Sequence, residues 1–438
     1  MAAFSLVFVS IAGLVQIIVW ARRRLYVRSL FWLVFIVCYP MDLLWINGSQ
    51  EVYLSATIYG PLPDSGSLTT AAVMVVGCWV VMSAVVSLSA RGRGESSLPR
   101  VLGGDYAPYR LRFFAFVLLT SMLSLVIISK VALHGVEQTL ASRQTVFGDD
   151  AVALLAYYAL PPLAVFGAAA LGTLSWARRF VVVILIVVSL GVTFLTGSRS
   201  GLLLSFLLPI LALAWRGISR RLRGYAKDMS RILVVGSLVL AASFGGAWYV
   251  SEFRGVSTSE GFFRSTDLSQ ADVLVALVAA NPPVVGGSSY LAGVTTLIPR
   301  SVWQAKPLPG NVWSSIVLTP DRYQLTGAET TAGLLGEAFL NFHLIGFLVA
   351  GLLLGLIVVL CERLTEARRP DLTWIFGVLL VTRGINIVRG DLANVWAPVF
   401  VALLAWLIVV KRTRARVEGQ GPEPEFQPSR SRTGSART

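Results

Sequence analysis

The chain has 438 residues, 55% hydrophobic and only 14% charged, with a mean hydropathy of +0.72 and a formal net charge of +14. Several apolar runs are long enough to cross a hydrocarbon core of about 30 Å with about 20 residues each, which excludes a soluble globular protein and predicts a polytopic membrane protein. Nucleic-acid binding is excluded as the source of the charge, because the basic residues fall in short clusters between apolar runs, as the positive-inside rule predicts.

Taken in order, the apolar runs and basic clusters predict about eleven spans. A first span (3–20) lacks a basic leader and a small-residue cleavage site and ends on Arg22, Arg23, Arg24 and Arg28, so it reads as an uncleaved helix with its N-terminus outside. A second span (29–47) leads to an outer loop, 48–68, without Lys or Arg, and a third (69–90) descends to Arg91, Arg93, Arg100, Arg110 and Arg112. A fourth (113–133) rises to a loop with Arg143, Asp149 and Asp150; a fifth (151–175), with Pro161 and Pro162, descends to Arg178 and Arg179; a sixth (180–196) rises to the hairpin around Arg199. A seventh (201–215) drops to the densest basic loop, 216–231, and an eighth (232–250) rises to the longest outer segment, 251–330. Three more (338–361, 371–388 and 392–410) end on Lys411, Arg412, Arg414 and Arg416, which places the C-terminus in the cytoplasm. The chain thus reads as one integral-membrane domain, 1–416, with a large extracytoplasmic loop, 251–337, and a Ser/Gly/Pro/Arg-rich tail, 417–438, of disordered composition. Within the loop, 271–280 is apolar but too short to span and is expected to lie on or dip into the outer interface. Cys38, Cys78 and Cys361 sit in apolar runs with no metal-like spacing, so no disulfide or metal site is predicted.

The topology sorts the cations. Those in cytoplasmic clusters orient the chain and attract anionic headgroups. Arg143, Arg199, Arg254, Arg264, Arg300, Lys306, Arg322 and Arg389, with Arg383 inside the tenth span and Lys130 near the outer end of the fourth, run against the bias. Singly each reads as a salt bridge or a snorkelling side chain; together they point to an anionic ligand at the outer boundary. Lys130, Lys227, Lys306 and Lys411 are the only lysines among 37 basic residues, and the planar arginine fork suits a phosphate.

Four segments carry a family likeness: Thr196-Gly-Ser-Arg-Ser-Gly-Leu202, Ile298-Pro-Arg-Ser-Val-Trp-Gln-Ala-Lys-Pro307, Gly333-Leu-Leu-Gly-Glu-Ala-Phe-Leu-Asn341 and Arg389-Gly-Asp-Leu392. In this order they resemble the Wzy-type oligosaccharide repeat-unit polymerases of bacterial O-antigen, capsule and exopolysaccharide synthesis; the likeness covers about 180–395, and the first half matches in hydropathy alone. The resemblance implies an all-α, GT-C-like membrane glycosyltransferase of the bacterial plasma membrane. It would join undecaprenyl-diphosphate-linked repeat units by inverting transfer on the outer face, without a metal or other cofactor. The partners implied are the bilayer, the lipid-linked oligosaccharides, and a flippase and chain-length regulator of the same pathway. A ligase passing the glycan to another acceptor, a transporter or flippase of lipid-linked sugars, and a non-catalytic scaffold are the alternatives; no internal repeat of the transporter kind is present. The sequence departs from the family in two places. Arg300 is followed by a glycine at 310, one residue early for the paired Arg-x10-Gly motif of some members, and His343 lacks the pattern around the catalytic histidine of the ligases.

A leaving diphosphate needs positive charge where its own charge develops, for which Arg199 and Arg300 are the first candidates, and the acceptor hydroxyl needs a carboxylate, for which Glu337 comes first and Glu329 second. Arg389, Lys306, Arg254, Arg143, Ser198, Ser200, Trp303, Asp391 and Arg383 complete the expected substrate-binding set. Glu337 has a plain alternative as a helix N-terminal carboxylate, and Asp391 as an ion-pair partner of Arg389 or Arg383.

Overall fold

A computed structural model describes residues 2–22, 25–55, 58–61, 64–91, 109–141, 146–147, 150–196, 199–213, 270–298, 300, 302–327, 329–365 and 371–412. The protein is an all-α membrane protein with two short antiparallel ribbons. Among the described residues six helical segments are long and apolar enough to cross a membrane: Tyr26–Ser49, Ser65–Ser89, Phe113–His134, Ala151–Thr173, Trp176–Leu195 and Gly333–Leu364. Phe4–Trp20, Leu204–Leu213, Gln270–Ala280 and Ala393–Val409 are shorter apolar helices. The eighth expected span, 232–250, and the basic loop before it lie outside the described residues.

The elements follow in order. They begin with α1 (Ala2–Arg22), α2 (Tyr26–Ile36), α3 (Asp42–Ser49), β1 (Glu51–Ser55), β2 (Ile58–Pro61) and α4 (Ser65–Arg91). Next come β3 (Tyr109–Leu111), α5 (Phe113–His134), α6 (Val136–Ala141), α7 (Ala151–Ala170), α8 (Trp176–Leu195) and α9 (Arg199–Leu202). The last third holds α10 (Gln270–Ala280), α11 (Ser288–Val294), α12 (Gly310–Leu318), α13 (Pro320–Thr326), α14 (Gly333–Phe342), α15 (Gly346–Leu364), α16 (Asp371–Arg389), α17 (Ala393–Val409) and β4 (Val410–Arg412).

Two apolar cores organise them. One gathers α1 to α4 with α10, α14 and α15 around Phe31, Trp32, Phe35, Met74 and Met82; the other gathers α5, α7, α8 and α17 around Phe116, Leu163 and Phe166. Helix α16 joins them, giving Leu380, Val381 and Val388 to the first core and Leu372, Ile375 and Leu379 to the second. Large side chains such as Phe114, Leu118, Phe180 and Val187 face outward, as a surface in contact with lipid requires.

Three departures from the expected spans have identifiable causes. The second span carries a π turn, Val37–Met41, at Pro40, whose missing N–H and ring displace the ordinary helical bond. The ninth begins earlier, at Gly333, and breaks at His343, which adopts φ 49° and opens a short 3-10 turn, His343–Ile345. Helix α10 is a helix as expected but does not lie on a surface: Gln270 through Leu277 are all buried against α3, α4, α12 and α14. Its apolar residues run all round rather than along one stripe, so protein must cover every side.

One end of the bundle is closed by charge. The Arg28 guanidinium at the start of α2 donates to both Glu362 oxygens near the end of α15, Nε to Oε1 at 2.5 Å and Nη2 to Oε2 at 2.7 Å, and lies 5.9 Å from the Trp20 ring centroid. β3 pairs with β4, joining the chain before α5 to the chain after α17. The opposite end, about 30 Å away at 1.5 Å per residue along α15, carries the polar hub described next.

Candidate functional site

Glu337 lies on α14 and is only 2% exposed. Its Oε1 accepts from the Ser289 hydroxyl at 2.8 Å, and its Oε2 accepts from the Leu392 backbone N–H at 2.7 Å. One helical turn on, Asn341 donates through Nδ2 to the Ser289 hydroxyl oxygen at 2.6 Å and to the Glu337 carbonyl at 2.8 Å. Helical spacing of four residues puts Glu337 and Asn341 on one face, so α11 is pinned to α14 by two side chains at once.

Asp391, 1% exposed in the turn between α16 and α17, accepts from Asn394 N–H at 3.0 Å and from Asn311 N–H at 3.2 Å. Burial pushes the Asp391 carboxyl up from its ordinary range, against the pull of those two N–H donors. Asn311 in turn accepts at Oδ1 from Ala332 N–H at 3.0 Å, and Ser315 accepts from Thr330 N–H at 2.7 Å. These side chains satisfy backbone groups where short helices begin and end inside a bundle, which is what keeps such irregular backbone stable at membrane depth.

Glycine allows the close packing. A Cβ on Gly310 would lie 2.9 Å from Glu337 Cγ, and one on Gly293 would lie 3.0 Å from the Ala393 nitrogen. The segment between α11 and α12 therefore leaves and returns at the hub. Gly333, at φ +67°, needs glycine for conformation and for space, since a Cβ would stand 2.8 Å from the Tyr39 hydroxyl. That hydroxyl donates to Val388 carbonyl at 2.9 Å and accepts from Leu335 N–H at 3.1 Å, tying the Pro40 turn to α14 and α16.

Two polar atoms beside the hub are buried with no hydrogen bond, the Tyr290 hydroxyl and Asn341 Oδ1. Burial also raises the Tyr290 hydroxyl pKa, so the phenol stays protonated. His343 Nε2 meets the Pro282 carbonyl at 2.8 Å and its ring stacks on Phe339 at 4.9 Å, so it serves the bend between α14 and α15.

The remaining expected residues separate into groups. Arg300 donates to the carbonyls of Lys306 and Pro307, and Lys306 Nζ donates to those of Thr296 and Ile298, so both cations hold the 294–309 segment together; burial, then Arg300, lowers the Lys306 pKa. Trp303 is half-buried, and its carbonyl accepts from Lys306 N–H at 3.1 Å. Glu329 is half-buried just ahead of α14, and Arg389 is half-buried at the end of α16, two residues from Asp391. Arg383 is buried and donates to Ser205, which follows α9 in a π turn; the two line a small cavity with Pro162, Phe376 and Pro398. Arg199 opens α9 six residues before Ser205, and Arg389 ends α16 six residues after Arg383. Both stand about 9 Å from that contact along their helices. The backbone of Ser200 falls within α9, while Ser198, Arg254 and Arg143 lie outside the described residues.

Ser289, Asn311 and Tyr39 lie outside the set of residues that the sequence points to. Each still carries a local signal: Ser289 follows the Gly286-Gly287 turn, Asn311 follows Pro309-Gly310, and Tyr39 precedes a mid-helix proline. Among the described residues no three His, Cys, Asp or Glu side chains gather as a metal group would require.

Fold and site together define a multi-pass helical membrane protein with a satisfied carboxylate hub at one end and a charged clamp at the other. No protein-family model, curated protein or solved structure significantly matches the chain.

Proposed function

We propose that the protein is a glycosyltransferase of the bacterial plasma membrane that polymerises undecaprenyl-diphosphate-linked oligosaccharide repeat units. The observation that supports this is the junction of two segments bearing the family likeness: Glu337 of the Gly333–Asn341 segment accepts from Leu392 of the Arg389–Leu392 segment across 55 residues of sequence. The cation-bearing segment ending at Pro307 re-enters the same hub at Gly310. In this reading the hub end is the extracytoplasmic end of about eleven spans in a GT-C-like arrangement, with the N-terminus outside and the C-terminus in the cytoplasm.

The acceptor hydroxyl attacks the anomeric carbon from the face opposite the leaving diphosphate. The new glycosidic bond forms as the old carbon–oxygen bond breaks, with inversion, and the hydroxyl proton passes to a carboxylate. Arg389 and Arg199, each about 9 Å along its helix from the Arg383–Ser205 contact, meet the diphosphate charge as it develops. Arg300 and Lys306 shape the segment beside them. Glu337, with both oxygens already engaged, positions the Arg389 turn, and the half-buried Glu329 receives the proton.

The test is reconstitution of the purified protein with lipid-linked repeat units, reading chain length on gels. Arg389→Ala and Glu329→Ala are expected to slow extension by roughly 10²-fold at unchanged expression. Transfer of the lipid across the bilayer with no glycosidic bond formed would overturn the enzyme reading in favour of a transporter.

A further inference from the structure

We infer that the end of the bundle opposite the hub holds a specific anionic phospholipid, bound by Arg110 and Lys411 of the β3–β4 ribbon and by Arg178, which packs on Phe113 at the start of α5. The inference does not depend on the proposed enzymatic function.

The ribbon places like charges together. Leu111 pairs with Val410, and both are buried in the second core; the period of two then turns their neighbours Arg110 and Lys411, which are direct cross-strand partners, outward. Like charges directly opposite on an antiparallel pair repel, yet this pairing is extended by an Arg112 N–H bond to the Val409 carbonyl at 2.7 Å. Among the described residues no carboxylate bridges Arg110, Lys411 or Arg178, although acids do pair with Arg28 and Lys130 elsewhere. An anion supplied from outside the chain removes the repulsion.

Neighbouring cations are already committed, which fixes the geometry. Arg112 Nη1 donates to the Ile408 carbonyl at the end of α17, and Arg179 Nε donates to the Leu174 carbonyl at 2.7 Å. Arg178 is different: its guanidinium lies 5.4 Å from the Phe113 ring centroid, three residues along the chain from Arg110, with its donors free to meet a phosphate. The first turn of α8 adds its unpaired N–H groups, since Ser175 makes no side-chain cap there.

The wall below the cations favours a lipid over a free phosphate. Phe114 and Leu118 on α5 and Phe180 and Val183 on α8 are exposed apolar side chains that continue from the charged rim along the bundle. Trp176, 80% exposed and stacked on Phe180, stands at the rim as an interfacial anchor. A headgroup phosphate between the cations puts its acyl chains against this wall.

The full-length protein in nanodiscs of phosphatidylcholine, with or without phosphatidylglycerol, tests the site by lipid retention in native mass spectrometry and by unfolding temperature. Phosphatidylglycerol is expected to be retained selectively and to raise the unfolding temperature. Each of Arg110→Gln, Lys411→Gln and Arg178→Gln should weaken retention by roughly five-fold. Arg110→Lys, which keeps the charge and the fold, should retain the lipid. Equal retention in the three glutamine variants overturns the site, and so does a stabilisation reproduced in full by inorganic phosphate with phosphatidylcholine alone.

Discussion

The two ends of the bundle bury carboxylates in opposite ways. Glu362 meets a cation, Arg28, in a bidentate pair about 30 Å from the hub. Glu337 and Asp391 instead accept from three backbone N–H groups and a serine hydroxyl, contributed by three separate stretches of chain around Ser289, Asn311 and Leu392–Asn394. A bidentate ion pair fixes two helices to each other and nothing more. A carboxylate held by N–H donors fixes turns, and through them the segments that enter and leave those turns.

The difference is open to direct attack, first at the clamp. Glu362→Ala leaves Arg28 buried without its partner and should destabilise the protein by about 3–5 kcal/mol in thermal unfolding, whereas Arg28→Met combined with Glu362→Leu should recover most of that loss. An unfolding temperature unchanged by Glu362→Ala would mean that the pair does not close this end.

At the hub the effect is smaller, because the network can shift. Gly310→Ala forces a methyl group within 2.9 Å of Glu337 Cγ, an overpacking expected to cost about 1–3 kcal/mol. Hydrogen exchange should show the change concentrated at Leu392 and in α11, with the Arg28 region unaffected. If protection fell equally at both ends, the hub would not be a local unit.

The smallest effect belongs to a helix start away from both. Asp150 caps α7 by accepting from Val152 and Ala153 N–H, and Lys130 lies 2.8 Å away. The Lys130 hydrogen bond, then the helix N–H groups, hold its carboxyl below the ordinary range. A depressed folded-state pKa contributes stability that is present above the unfolded value of about 4 and is lost as pH falls through the folded value. Asp150→Ala should therefore cost about 1 kcal/mol at neutral pH and progressively less below pH 4, read as unfolding temperature against pH.

Helix type and the rough position of most described spans were legible because uninterrupted apolar runs bounded by arginine leave little else for the backbone to do in lipid. Glu337 stands out in the sequence as a carboxylate in a Gly-rich turn entering the ninth span, and Asp391 as an acid beside Arg389. Their partners do not, since a backbone N–H carries no sequence signature. Arg300 and Lys306 are instructive in another way: in the proline-rich segment around them the long cationic side chains supply donors to the carbonyls of Thr296, Ile298, Lys306 and Pro307. The break after α14 was hidden too, because neither His343 nor Gly346 breaks the apolar pattern of the ninth span.

That break has a mechanical consequence. A continuous helix is a stiff shaft, and twisting one end turns the other. Here α14 and α15 meet at a joint in which Gly346 rests on the Ala338 carbonyl, so closely that any side chain at 346 would collide with it. A rotation of α14 would therefore turn at this elbow instead of being carried along α15.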